Sequence, residues 1–165
     1  MEAKVAMQLE KPRIEDHRTF LMGGFQESFP EPPKGVPELW GRFAPRLGKI
    51  PGQAGHIAYG VASSISEQGA CTYTAGVEVS DFSNLPAEFA RLTIPANRYA
   101  VFSHHAHVDK LADAIDQILK KWLPASGLAL ENRPAGTPVF FERYGEHFNP
   151  KEGKGDVEVW VPIQA

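Results

Sequence analysis

Within 165 residues the pattern strand, strand, helix, strand, strand occurs twice, and this repetition constrains the fold more than any single motif. In the first set, residues 4–9 alternate weakly between polar and apolar and read as a short strand ended by Pro12. Residues 18–25 read as a second strand, with Gly23-Gly24 as a bulge or a close backbone approach. Residues 36–47 carry Val36, Leu39, Trp40, Phe43 and Leu47 at helical spacing, with Pro37 suited to a first turn and Pro45 predicting an early end. Residues 56–65 and 70–79 read as a hairpin closed by Ser66-Glu67-Gln68-Gly69. The second set has strand-like residues 91–94 and 99–103, then a helix over 109–122 with Leu111, Ile115, Ile118, Leu119 and Trp122 as its stripe. Pro124 and Gly127 are read as its stop. Strands over 139–144 and 156–163 follow. Leu9-Glu10-Lys11-Pro12 matches Leu92-Thr93-Ile94-Pro95, and Ala75-Gly76-Val77-Glu78-Val79 matches Asp156-Val157-Glu158-Val159. Two such halves, about 1–83 and 84–165, predict an α+β domain with pseudo-twofold symmetry and a cleft where they meet. Strands 56–65 and 139–144 are then equivalent.

The strand over 139–144 holds the candidate chemistry. Alternation puts Phe140, Glu142 and Tyr144 on one face and Val139, Phe141 and Arg143 on the other. Glu142 thus stands between two aromatic rings. A carboxylate there is costly if buried without a partner. A solvated surface strand satisfies the pattern; so does a pocket that takes a cation, which the aromatic π-faces would also favour.

Composition excludes several alternatives. A formal net charge of −3 gives no excess of Lys and Arg for sequence-independent binding to phosphates, so no direct nucleic-acid binding is expected. No apolar run approaches a membrane span, and the first ten residues lack a signal-peptide core, so a cytoplasmic location is the expectation. Cys71 is the one cysteine and has no internal disulfide partner. Gly153-Lys154-Gly155 fails the phosphate-loop pattern, and no Gly-x-Ser-x-Gly elbow occurs. His104, His105 and His107 lack an acidic or cysteine framework and read as solvated or helix-capping; neither metal nor cofactor is expected.

Several runs, taken in order, resemble the GyrI-like effector-binding domain. They are Glu38-Leu39-Trp40, Tyr59-Gly60-Val61 and Tyr73-Thr74-Ala75-Gly76-Val77-Glu78-Val79 in the first half. In the second they are Leu92-Thr93-Ile94-Pro95-Ala96, Tyr99-Ala100-Val101-Phe102-Ser103-His104, Trp122-Leu123-Pro124-Ala125-Ser126-Gly127, Phe141-Glu142-Arg143-Tyr144 and Val157-Glu158-Val159-Trp160-Val161-Pro162-Ile163. The resemblance implies duplicated halves, each an antiparallel sheet with a long helix, around a central ligand cleft. It implies a protein that binds lipophilic, often cationic, aromatic molecules, as in ligand-sensing domains of AraC-type and MerR-type regulators. Hydrolysis of cyclopropanoid alkylating compounds and restraint of DNA gyrase are the family's other activities, so an enzyme is an alternative. Glu142 matches the pocket glutamate, and Tyr59, Tyr73, Tyr99, Phe102, Tyr144 and Trp40 are candidates for its aromatic walls; by helical spacing alone Trp40 reads as core. Ala106-His107 departs from the family's frequent Gly-Pro. With only a few residues before the first strand, no helix-turn-helix is expected, and the chain is expected to act as a stand-alone binding domain, alone or with a separate protein partner.

Overall fold

The computed structural model describes residues 9–165. Eight strands form one antiparallel sheet. They are β1 (Arg13–His17), β2 (Phe20–Phe29), β3 (Gln53–Ile65), β4 (Cys71–Val79), β5 (Ala90–Ile94), β6 (Asn97–His104), β7 (Phe140–Tyr144) and β8 (Val157–Ile163). Their order is β1-β6-β8-β7-β3-β4-β2-β5. This order is symmetric about the β7/β3 junction, where the half-sheets expected from the duplication join into one.

The strand registers fix the symmetry more finely. Phe25, Ala75, Gly60, Glu142, Val159 and Phe102 lie in one cross-strand row. A twofold axis through the Gly60–Glu142 pair exchanges Ala75 with Val159 and Phe25 with Phe102. The same operation exchanges Thr19 with Ala96, and the Ala96 N–H donates to Thr19 Oγ1 at 3.0 Å, where the axis meets the chain again. Strands 56–65 and 139–144 are therefore equivalent as expected. The local matches in sequence are not: Val159 corresponds to Ala75 rather than to Val79, and Ile94 to His17 rather than to Lys11.

The edge strands are exchanged between halves. β1 pairs with β6 and β5 pairs with β2. Only Arg18-Thr19 links β1 to β2, although they stand first and seventh in the sheet. Three Cα–Cα steps reach no more than about 11 Å, so the sheet must curl until its ends approach each other. The inner face encloses Phe20, Met22, Tyr59, Val61, Ile94, Tyr99, Val101, Phe141 and Trp160. Phe141 stacks on Trp160 with centroids 5.4 Å apart. Gly24 allows β2 to close on β4: a Cβ there would lie 2.2 Å from the Ala75 carbonyl oxygen, the close approach expected at Gly23-Gly24.

The helices lie on the outer face. α1 (Val36–Phe43) starts after Gly35 at φ 94°, carries Pro37 and Glu38 in its first turn, and buries Leu39 and Phe43. Pro45 ends it, and residues Ala44–Arg46 tighten into a 3₁₀ turn. Leu47, expected on its buried face, is 39% exposed. Of the two long helices implied by the resemblance, the first is short and the second is long but not α-helical throughout. The second runs through α2 (Leu111–Gln117), a π-helical turn (Ile118–Trp122) and α3 (Leu123–Ser126). Pro124 does not stop it, because the wider turn before it carries the Leu123 N–H to the Ile118 carbonyl. Gly127, at φ 73°, does.

Two expectations near the start need comment. The strand expected over 4–9 lies outside the described residues, apart from Leu9, which is not in a strand. Instead Arg13–His17 forms β1, a charged edge strand with Ile14 50% exposed. Of the histidines, His107 caps the turn before α2 by accepting from the Asp109 N–H, and His104 is buried rather than solvated. No helix among the described residues is long and apolar enough to cross a membrane.

Candidate functional site

The outer face of the sheet places Glu142 at the pseudo-twofold axis, under the first helix. The residue is 7% exposed. Tyr73 donates its hydroxyl to Glu142 Oε1 at 2.6 Å, and Tyr144 donates to the same oxygen at 2.8 Å. Trp40, from α1, donates its indole N–H to the Tyr73 hydroxyl at 3.0 Å. Glu142 makes no ion pair among the described residues. Burial drives its pKa up to about 7, and the two tyrosine hydrogen bonds only partly oppose this. The same burial, with the neighbouring carboxylate, pushes both tyrosines well above their ordinary value, so they remain donors.

Gly60 makes the arrangement possible. A Cβ there would lie 1.9 Å from the Tyr73 hydroxyl and 2.6 Å from Glu142 Oε1. The position symmetric to the carboxylate is thus the space the carboxylate and its donor occupy. The first half supplies Trp40, Gly60 and Tyr73; the second supplies Glu142 and Tyr144.

Aromatic rings surround this group. Trp40 meets Tyr144 edge-on at 5.3 Å, and Tyr144 meets Phe148 edge-on at 5.1 Å. Tyr144 also lines a cleft of about 450 Å³, with Leu47, His56 and Ala58 from the first half and Glu146 and Phe148 from the second. The tyrosine ring therefore stands between open cleft and buried carboxylate.

The sequence model for the GyrI-like small molecule binding domain matches residues 10–164. This chain belongs to the GyrI-like family. The transcriptional regulator BrlR of Pseudomonas aeruginosa is 30% identical to this GyrI-like chain over 153 residues, covering 92% of the chain and 54% of BrlR. The chain spans about half the length of that relative. The structure of SAV2435 bound to tetraphenylphosphonium superposes with a TM-score of 0.71 at 15% identity, covering 94% of this chain and 95% of the other. The EcmrR C-terminal domain superposes with a TM-score of 0.66 at 15% identity, covering 96% and 99%. At these identities the likeness speaks for the fold.

Of the residues expected to line a pocket, the GyrI-like fold brings Glu142, Tyr144, Tyr73 and Trp40 together. Tyr59 and Tyr99 are corrections: both lie on the inner face, within the aromatic cluster around Phe141. Gly60 is the residue opposite Glu142, so its neighbour Tyr59 must point through the other side of the sheet. Tyr99 is three residues from Phe102 on one strand, so those two must also face opposite sides. Its buried hydroxyl has no hydrogen-bond partner among the described residues, and burial pushes its pKa to about 12. Phe102 is on the outer face but two strands from Glu142 in the same row, roughly 10 Å away by strand spacing, with its ring against Trp122. Gly60 and Phe148 were not singled out from sequence. A glycine inside a strand was the available signal for the first; a lone aromatic in a polar loop was the signal for the second.

Proposed function

We propose that this small-molecule binding domain takes lipophilic, aromatic cations, with Glu142 as the charge-selecting group. One observation carries the reading: a buried carboxylate, ringed by aromatic side chains and held by tyrosine hydroxyls, has no cationic partner among the described residues. A ligand cation supplies that missing charge, and the rings add about 0.5–2 kcal/mol each through their π-faces. SAV2435, of the same fold, was solved with tetraphenylphosphonium, a ligand of this class. BrlR is a transcriptional regulator, and effector sensing in regulation is the role that goes with this proposal.

The test is titration of tetraphenylphosphonium into wild type and Glu142→Gln at pH 8, followed by Trp40 fluorescence. The substitution keeps the shape and removes the charge, so affinity should fall by about 1–3 kcal/mol. Equal affinity in the two proteins defeats the reading. A second reading, hydrolysis of cyclopropanoid compounds, is favoured by the pKa of about 7 at Glu142, which suits a general base acting near neutrality. Mass spectrometry of such a compound incubated with the protein decides it: more than one equivalent of ring-opened product requires an enzyme.

A further inference from the structure

A second acid lies along the cleft. Glu146 sits on the cleft wall two residues beyond Tyr144, is exposed, and makes no hydrogen bond or ion pair among the described residues. The backbone around it is pinned. The Gly145 N–H donates to the Asp156 carbonyl at 2.9 Å, the Phe148 N–H donates to the Gly145 carbonyl at 3.1 Å, and the His147 N–H donates to Asp156 Oδ2 at 3.3 Å. Glu146 is therefore presented from a fixed turn. It lies four positions along the chain from Glu142, so the two backbone positions are at most about 14 Å apart. The cleft wall shared with Glu146 includes apolar or aromatic Tyr144, Phe148, Ala58 and Leu47. The remaining titratable group on this wall is His56.

Glu142, buried behind Tyr144, the largely apolar cleft wall and exposed Glu146 thus follow one another from the interior to the surface. We propose that Glu146 is a specificity-determining residue that takes the outer charge of an elongated, amphipathic dication whose inner charge is held by Glu142. The inference rests on the cation-binding reading of Glu142 and adds a ligand shape to it. The outer charge stays in water, so its contribution is that of an exposed pair, about two- to fivefold in affinity, and it weakens as salt rises.

The probes are octamethylene-bis(triphenylphosphonium) and its monocationic counterpart, octyltriphenylphosphonium. Both are titrated by calorimetry at pH 8 and low salt. The quantity read is the ratio of dication to monocation affinity, compared between proteins, which cancels the statistical factor and the difference in hydrophobicity. The ratio should fall about two- to fivefold in Glu146→Gln and about tenfold in Glu146→Lys, with monocation affinity unchanged in Glu146→Gln. An unchanged ratio in both variants, with both probes still bound, overturns the role of Glu146 and leaves that of Glu142 standing. Failure of the wild-type protein to bind either probe overturns both.

Discussion

At the scale of single residues, Glu142 should tie stability and, on the proposed reading, cation affinity to pH in opposite directions. Its pKa of about 7 in the folded protein lies above the ordinary value of 4.5, so between these pH values the folded state holds a proton that the unfolded chain has lost. Stability from this group is full below pH 4.5 and declines as pH rises through 7. Glu142→Gln should remove that decline, leaving the variant more stable than wild type by roughly 1–3 kcal/mol at pH 8, and similar to it near pH 4.5. Urea unfolding at both pH values checks this; a wild-type protein equally stable relative to the variant at each would contradict it. On the proposed reading, cation affinity should run the other way, full above pH 7 and weaker below, because the proton must leave first. Tyr73→Phe removes one donor to the carboxylate and strips the Trp40 N–H of its acceptor. The midpoint of the affinity–pH curve should then move up. Much of this chemistry was legible, since Glu142 between Phe140 and Tyr144 follows from alternation alone. The grouping of tyrosines was less so. Tyr99 and Phe102 betray their opposite faces by spacing within one strand, but only the β3–β7 register assigns Tyr59 to the far side.

At the scale of elements, the site depends on how closely β3, β4 and β7 approach. Gly60 is the point of contact. Gly60→Ala must push the Tyr73 hydroxyl and Glu142 apart, since both lie inside the new methyl group's contact distance. The variant should lose about 1–3 kcal/mol of stability, as overpacking does. It should also lose cation affinity together with the tyrosine-to-carboxylate hydrogen bond. Thermal unfolding alongside tetraphenylphosphonium titration measures the two; retention of both would mean the strands relax around the methyl. Seven of the eight strands and both helical segments were readable from periodicity, because each buries a continuous apolar stripe or face. β1 was not, because a charged edge strand has no such pattern and takes its structure from pairing with β6. The course of the chain past Pro124 was misread for a related reason. Local sequence rules end an α-helix there, while burial of Ile118 and packing of Trp122 on Phe102 carry it on through the wider turn.

At the scale of the whole molecule, the inner aromatic cluster holds the curled sheet closed. Phe141 is its hub, in contact with Phe20, Tyr59, Tyr99 and Trp160. Phe141→Ala should cost about 3–5 kcal/mol. Because Phe141 faces away from the ligand side, cation affinity of the folded variant should be nearly unchanged. Chemical denaturation and ligand titration of the same sample separate the two effects, and a large affinity loss in a stably folded variant would place the cluster within the binding site. The curl itself was not legible, because it arises from two-residue crossings between strands at opposite ends of the sheet, and no local pattern encodes that. The twofold axis through Gly60 and Glu142 has a further consequence. Two identical subunits related by such an axis would have to put the same residue on both sides of it. They would hold two carboxylates face to face, each repelling the other, or two glycines and no charge at all. Carrying both halves on one polypeptide lifts that restriction: one side can hold the anion while the other yields the room for it, and a nearly symmetric protein obtains a single buried carboxylate at its very centre.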